Sequence, residues 1–373
     1  MEPSVSLHDL RAVYDPEMHV AMLRDGSRHR FYGQCLLMHP ELKGQVAIDV
    51  GAGTGIMSAM AVLQGKLGKV HAVEALPEVC RLIPRVLEAT LEPEDRDKVE
   101  VHCGFVEEVL DKQPNGWPQH VQLIISEWLG IMGLNEGMVR PLLHCRDAFD
   151  PKPHMLPGLL RIWVQPCEGD GRCGPAVIRS EQLRGTPQLV LEADLNTCSL
   201  EDLFVTCTVQ LGASGLVGWF DLQCCAEHQL VLSTSPHAAA THWAQCWLPF
   251  GERLDGAARL RLRLAPQSTG LPELCVELTP PPGAPLRGMR FFLDRGVVER
   301  FGGEDGEDAQ GGAKRRRTED IEAKMMIGQE SNHFRPMRRS GQRWGRVQSD
   351  WMSDPTCRSQ SARHISISAE FEG

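Results

Sequence analysis

QVAIDVGAGTGIMSAMAVLQG, residues 45–65, packs an apolar run, a glycine-rich turn and a second apolar stretch into one short segment. The first part reads as a short buried strand, and the last as a helix that ends at Gly65. Gly51, Gly53 and Gly55 between them let the backbone turn sharply and let a ligand approach closely. Ile56 occupies the place of the last glycine in a dinucleotide fingerprint, so the pattern is G-x-G-x-G preceded by Asp49.

Working outward, KVHAVEA is a second strand, followed by a helix through about Ala89, and KVEVHCG and VQLIISE are a third and a fourth strand. Strands alternating with helices imply an α/β, Rossmann-like parallel sheet with helices on both faces. Glu74 ends the second strand, where a carboxylate can hold two ribose hydroxyls. With no pyrophosphate to cradle, the arrangement suits S-adenosylmethionine better than NAD. The plain alternative is a tight turn with a surface acid. Upstream, residues 8–40 read as helical, with Asp15-Pro16-Glu17 as a helix start.

After about Pro157 the runs become short and often alternating, as in LLRIWVQPCE, GLVGWFDLQCCA and ARLRLRLAP, broken by Gly and Pro. That is antiparallel β, a barrel or a sandwich, with the barrel preferred. From Gly302 the chain is polar, charge-dense and without period, so a disordered tail is expected. The expected division is therefore 1–40 helical lid, 41–156 Rossmann-like domain, 157–301 β-barrel domain and 302–373 tail.

Residues 304–373 carry 12 acids and 12 bases, so the net charge of −10 belongs to the body. That speaks against direct nucleic-acid binding there and for basic partners. MEPSVSLHDL lacks a secretion-signal pattern and no run of 18 apolar residues occurs, so neither leader nor membrane span is expected. The 13 cysteines contain no C-x-x-C pair and read as reduced intracellular thiols. No metal-ligand set stands out, and Cys224-Cys225 read as packed small hydrophobes.

SEWLGIMGLNEGMV, residues 126–139, places Glu127 and Glu136 nine apart with only small or apolar residues and one Asn between them. Two carboxylates with so little to neutralise them suit a cationic ligand, since an unpartnered desolvated acid is costly. Before that ligand arrives they are expected to be wet, mobile or raised in pKa.

At these motifs the sequence resembles the protein arginine N-methyltransferases, over roughly residues 16–300. HVAMLRDGSR resembles the family's helix over the cofactor. DVGAGTG with VEA and FVEEV resembles its cofactor site. SEWLGIMGLNEGM resembles its double-glutamate hairpin, and Thr241-His242-Trp243 its substrate loop. The resemblance implies S-adenosyl-L-methionine as methyl donor and arginine-containing proteins as substrates. By position it implies that Arg28 pairs with the cofactor carboxylate, that Asp49, Gly51 and Gly53 line its methionine part, and that Glu74 holds the ribose. Val106 and Glu107 would meet the adenine, and His19 and Met22 would lie near the reacting methyl. Glu127 and Glu136 would clamp the substrate guanidinium and leave one nitrogen more nucleophilic. Met138 and Trp243 would contact the substrate, and the pair His242 and Asp25 would take its proton.

The sequence departs from the family in three places. Asp9-Leu10-Arg11-Ala12-Val13 stands where most members carry a Tyr-Phe-x-x-Tyr element, so those hydroxyls are missing. Ile131 and Asn135 replace an aromatic residue of the hairpin. GDGRCGPAVIRSEQLRG, residues 169–185, stands where the family inserts a helical dimerisation arm. A ring dimer of the family type is therefore not expected; a monomer, or a dimer through another surface, is. In the tail, Lys314–Arg317 and RPMRRSGQRWGR are basic clusters that read as a solvated tail, a nuclear signal or a self-regulatory segment, which leaves a cytoplasmic or nuclear location. The expected function is arginine methylation of proteins, leaning to asymmetric dimethylation. The rivals are a weak or inactive family member that acts as a scaffold, and a class I methyltransferase for a small molecule.

Overall fold

The computed structural model describes residues 6–13, 16–112, 120–225, 229–265, 273–279, 288–293, 296–301, 347–348 and 366–367. The chain opens with three helices, α1 (Leu7–Val13), α2 (Pro16–Arg24) and α3 (Gly26–Leu37). The single helical region expected over residues 8–40 is thus divided, and Asp25 is the reason. Its side chain accepts a hydrogen bond from the Arg28 amide at 2.9 Å and caps α3, a bond Asp makes more readily at a helix start than inside one. Asp15, expected to start the earlier helix, lies outside the described residues.

The α/β part runs β1 (Val46–Val50), α4 (Ile56–Leu63), β2 (Lys69–Glu74), α5 (Pro77–Cys80), α6 (Ile83–Thr90), α7 (Pro93–Arg96), β3 (Val99–Cys103), α8 (Val106–Lys112), β4 (Leu123–Ile125), α9 (Val139–Asp147) and β5 (His154–Leu156). Its five strands pair in the order β3-β2-β1-β4-β5, every pair parallel. α4 is buried on all sides from Ile56 to Val62, as its uniformly apolar sequence demands.

The second part is antiparallel, as expected: β6 (Leu159–Cys167), β7 (Gly174–Ala176), β8 (Gln188–Asp194), β9 (Thr206–Gln210), β10 (Ala213–Gln223), β11 (Val231–Ser233), β12 (Gln245–Leu254), β13 (Ala257–Ala265), β14 (Glu273–Thr279), β15 (Gly288–Phe292) and β16 (Val297–Phe301). They form two sheets, β7-β12-β10-β6-β8 with β11 on β10, and β16-β15-β14-β13-β9. In β13, Leu260 and Leu262 are buried while Arg261 is exposed, the period-two alternation of a half-covered sheet. One continuous core runs from Phe31 and Ile48 through Leu160 and Phe220 to Phe291. Of the expected disordered tail, only β17 (Val347–Gln348) and β18 (Ser366–Ile367), paired with each other, are described. The basic clusters there lie outside the described residues.

Candidate active site

In a parallel sheet of this order the connections leave β1 and β4 in opposite directions, and a crevice opens at the carboxyl ends of those two strands. The glycine loop follows β1, and Ser126-Glu127 follows β4. Ser126 ties the two ends together: its hydroxyl donates to the Val50 carbonyl at 2.6 Å, and its own carbonyl accepts from the buried Tyr32 hydroxyl at 3.0 Å.

Gly51, Gly53 and Gly55 hold φ of 69°, 55° and 82°, a left-handed region that a side chain disfavours. The loop is also crowded. A Cβ on Gly51 would lie 2.5 Å from the Met138 methyl, and one on Gly53 would lie 3.9 Å from Nε2 of His19. Glu74 is buried, and its two oxygens accept from the Gly53 amide at 2.9 Å and the Leu76 amide at 2.8 Å. Burial nevertheless outweighs those amides and raises its pKa. Asp49 is wholly buried and accepts from the Ser58 hydroxyl at 2.6 Å. Burial lifts its carboxyl to about 7, against the pull of Ser58 and Arg28. Val106 and Glu107 are buried in the first turn of α8.

Arg28 is the cation at the centre. Its Nη2 sits 3.1 Å from Oε2 of Glu127, with both side chains 6% exposed. Its Nη1 donates to the Met22 carbonyl at 3.3 Å. Its Nε is buried without a hydrogen-bond partner. The other Glu127 oxygen accepts from the Leu129 amide at 3.1 Å. Beside Arg28, burial and then the guanidinium charge push His29 down to about 3, so that imidazole is neutral.

The β half supplies the remaining wall. Oδ2 of Asp25 accepts from both the backbone amide and Nδ1 of His242, each at 2.8 Å. Burial alone would raise the Asp25 carboxyl, but the bonds from His242 and the Arg28 amide hold it below its ordinary value. The Trp243 indole donates to the Leu129 carbonyl at 2.6 Å, and its ring stacks at a tilt on His242 with centroids 3.8 Å apart.

The structure thus draws Asp25, Arg28, Glu127, His242 and Trp243 into one bonded network over the glycine loop. Of the states expected for the two hairpin acids, the wet one does not hold for Glu127, which Arg28 neutralises and covers, while Glu136 is exposed in the same hairpin. The Met138 methyl lies against Gly51 of the glycine loop. In the hairpin, the Asn135 side-chain oxygen accepts from the Met132 amide at 3.3 Å. Ser58, Ser126, Tyr32 and His29 are the residues that sequence reasoning missed. Tyr32 could have been found, since it stands one helical turn after Arg28 and so shares its face.

Residues 173–258 match the family model of the arginine methyltransferase oligomerization subdomain. A probable protein arginine N-methyltransferase 3 from Arabidopsis thaliana is 30% identical over 64% of this chain and 47% of its own length. Protein arginine N-methyltransferase 6 from Xenopus tropicalis is 27% identical over 65% of this chain and 80% of its own. The chain therefore spans about half the length of the Arabidopsis relative and most of the frog one. Among solved structures, Arabidopsis thaliana protein arginine methyltransferase 10 superposes with a TM-score of 0.60 at 21% identity, over 76% of this chain and 95% of that one. The Trypanosoma brucei PRMT1 enzyme-prozyme heterotetrameric complex with AdoHcy gives 0.62 at 23%, over 76% and 95%.

A five-stranded parallel sheet is thus joined to a β half in which residues 173–258 match the arginine methyltransferase oligomerization subdomain. Over about two thirds of its length the chain is similar to proteins named protein arginine N-methyltransferases.

Proposed function

We propose that the chain transfers methyl groups from S-adenosylmethionine to guanidinium nitrogens of arginine in proteins. The observation that carries this reading is Glu127 and Arg28 held together in the crevice between β1 and β4, with the Asp25–His242 pair alongside. The cofactor fits the residues present. The buried Arg28 Nε has no acceptor, and a carboxylate would complete it by a charge-assisted bond. Glu74 is already aimed by two amides, with lone pairs left for ribose hydroxyls.

When bound, the cofactor supplies a sulfonium whose methyl is electrophilic. The chain's own residues do the rest. Glu127 pairs with the Arg28 guanidinium, and Asp25 accepts from the Arg28 amide, so two carboxylates meet one cation there. That local surplus of negative charge favours cationic ligands, both the sulfonium and a substrate arginine. A carboxylate on Arg28 would release Glu127 to clamp the substrate guanidinium with Glu136, localising its charge and fixing its plane for in-line attack. His242 gives its Nδ1 proton to the bond with Asp25, which leaves Nε2 to accept the proton released by the substrate. Trp243 offers its flat face beside that channel.

The intact Thr-His-Trp and Met22 favour asymmetric dimethylation. Cys167 to Gln188 contains a short strand and one 3-10 turn but no α-helix, which supports assembly without the family's arm. A cytoplasmic or nuclear location is part of the same proposal. Incubation with labelled S-adenosylmethionine and arginine-rich peptides, followed by mass spectrometry, tests the activity. An unlabelled peptide at high enzyme concentration would favour the scaffold reading, which the missing Tyr-Phe-x-x-Tyr element and arm also support.

A further inference from the structure

Away from the crevice, a second constellation joins α3 to the end of β10. His39 stands two residues past α3, and Cys35 lies in that helix's last turn. Cys224 and Cys225 follow directly on β10. The ligand atoms of His39, Cys224 and Cys225 all lie within 4.8 Å of one another. His39 Nε2 is 3.3 Å from the Cys224 sulfur. Cys35 stands beside this set without belonging to it, its thiol pushed well up by burial and then by Cys224. Cys35 and Cys224 are buried, while His39 and Cys225 are half-buried. His39, Cys224 and Cys225 also line a cavity of about 40 Å³, together with Glu41 and His154.

We propose that His39, Cys224 and Cys225 form a structural zinc site, with the neighbouring Cys35 drawn in as its fourth ligand to complete a Cys3His set. Sulfur and nitrogen ligands on one tetrahedral zinc are separated by roughly 3.5–3.8 Å, given bond lengths of about 2.3 and 2.0 Å. The 3.3 Å between His39 and Cys224 needs only a small adjustment to reach that spacing. Glu41 gives independent support. Its Oε1 accepts from His39 Nδ1 at 2.6 Å, which fixes the tautomer and turns Nε2 toward the thiols. Metal-ligating histidines are almost always oriented by such a second partner. Zinc is favoured over calcium or magnesium because no oxygen donor is needed. On binding, each of the three thiols loses its proton to solvent and becomes a thiolate.

The other candidate cluster, His71, Glu100 and His102 on β2 and β3, is weaker. Its carboxylate is already paired with Lys69 at 3.0 Å. The thiol site also has a clear mechanical role. α3 is held at its start by Asp25 on His242, and zinc would hold its other end to β10, which fixes Arg28 between two anchors.

The test is the full chain expressed with zinc, dialysed against a weak chelator and assayed by elemental mass spectrometry. One zinc per chain is expected in the wild type and in His71→Ala, and less than a tenth of that in Cys224→Ser and His39→Ala. Cobalt substitution of the wild type should give thiolate-to-cobalt charge-transfer absorption with tetrahedral visible bands, a readout that needs no mutant to fold. A metal-free wild type without cobalt bands would overturn the site. So would zinc lost in His71→Ala but kept in Cys224→Ser, or a Cys35–Cys224 disulfide found by mass spectrometry without reductant.

Discussion

Arg28 and Glu127 satisfy each other, Nη2 to Oε2 at 3.1 Å, in a pocket that leaves each side chain 6% exposed. Each belongs to a different ligand in the proposed reaction, so their ion pair competes with both. Glu127→Gln removes the competitor for Arg28 along with the charge that clamps substrate. Turnover is expected to fall at least about a hundredfold, while S-adenosylhomocysteine binds equally well or more tightly by calorimetry. Loss of cofactor binding in this variant would show that Glu127 positions Arg28 rather than competing for it.

Asp49 makes stability depend on pH in an unusual direction. Its folded carboxyl titrates at about 7 and its ordinary value is 3.8, so between those values the folded state holds a proton that the unfolded chain has lost. Stability without cofactor is expected to fall as pH rises through this window, by on the order of 4 kcal/mol, and to level off above it. Asp49→Asn keeps an acceptor for Ser58 and removes the charge. Melting curves from pH 5 to 8 should flatten in the variant, with a higher melting temperature than wild type at pH 8.

Glu74 is held in place by the Gly53 and Leu76 amides before any ligand arrives. Glu74→Ala is expected to weaken S-adenosylhomocysteine by about 1–3 kcal/mol, through ribose hydroxyls left unpaired. Unchanged affinity by calorimetry would remove Glu74 from the cofactor site.

Asp25 behaves in the opposite sense to Asp49. Its folded pKa is lowered, so its contribution is complete above its unfolded value of about 3.9 and disappears as pH falls through the folded one. Asp25→Asn should cost about 1–3 kcal/mol at pH 7 in urea unfolding, and the gap to wild type should close on acidification. A constant gap down to pH 3 would assign the loss to packing instead.

Assembly is the remaining expectation. The stretch from Cys167 to Gln188 offers no helical arm, although residues 173–258 match the oligomerization subdomain. Sedimentation at micromolar concentration should give a monomer, or a dimer whose contacts avoid residues 166–186. A dimer closed through those residues would overturn this.

Much of the architecture was legible because local patterns carry it. The glycine loop with Asp49 and Glu74 fixed the first two strands, and the alternation in ARLRLRLA marked an antiparallel strand. Arg28, Asp25 and His242 were found through motifs that resemble a family. The state of those residues was not legible. Nothing in the spacing of Arg28 and Glu127 says that they bond to each other, nor that Tyr32 reaches Ser126 across 94 residues of chain. Pairings of that kind are decided by packing between elements. The vicinal Cys224-Cys225 read as filler for the same reason, since Cys35 and His39 are brought to them only by the fold.

The bond between Asp25 and His242 spans 217 residues. At synthesis rates of about 5–20 residues per second, the Asp25 carboxylate is made roughly 10–40 s before its partner exists. During that interval α3 has its helix but not its anchor, and Arg28 and Glu127 stand beside a wall not yet built. The site becomes whole only when the second half of the chain has arrived, so a product cut short before His242 would carry Asp25 and Arg28 without the wall that anchors them.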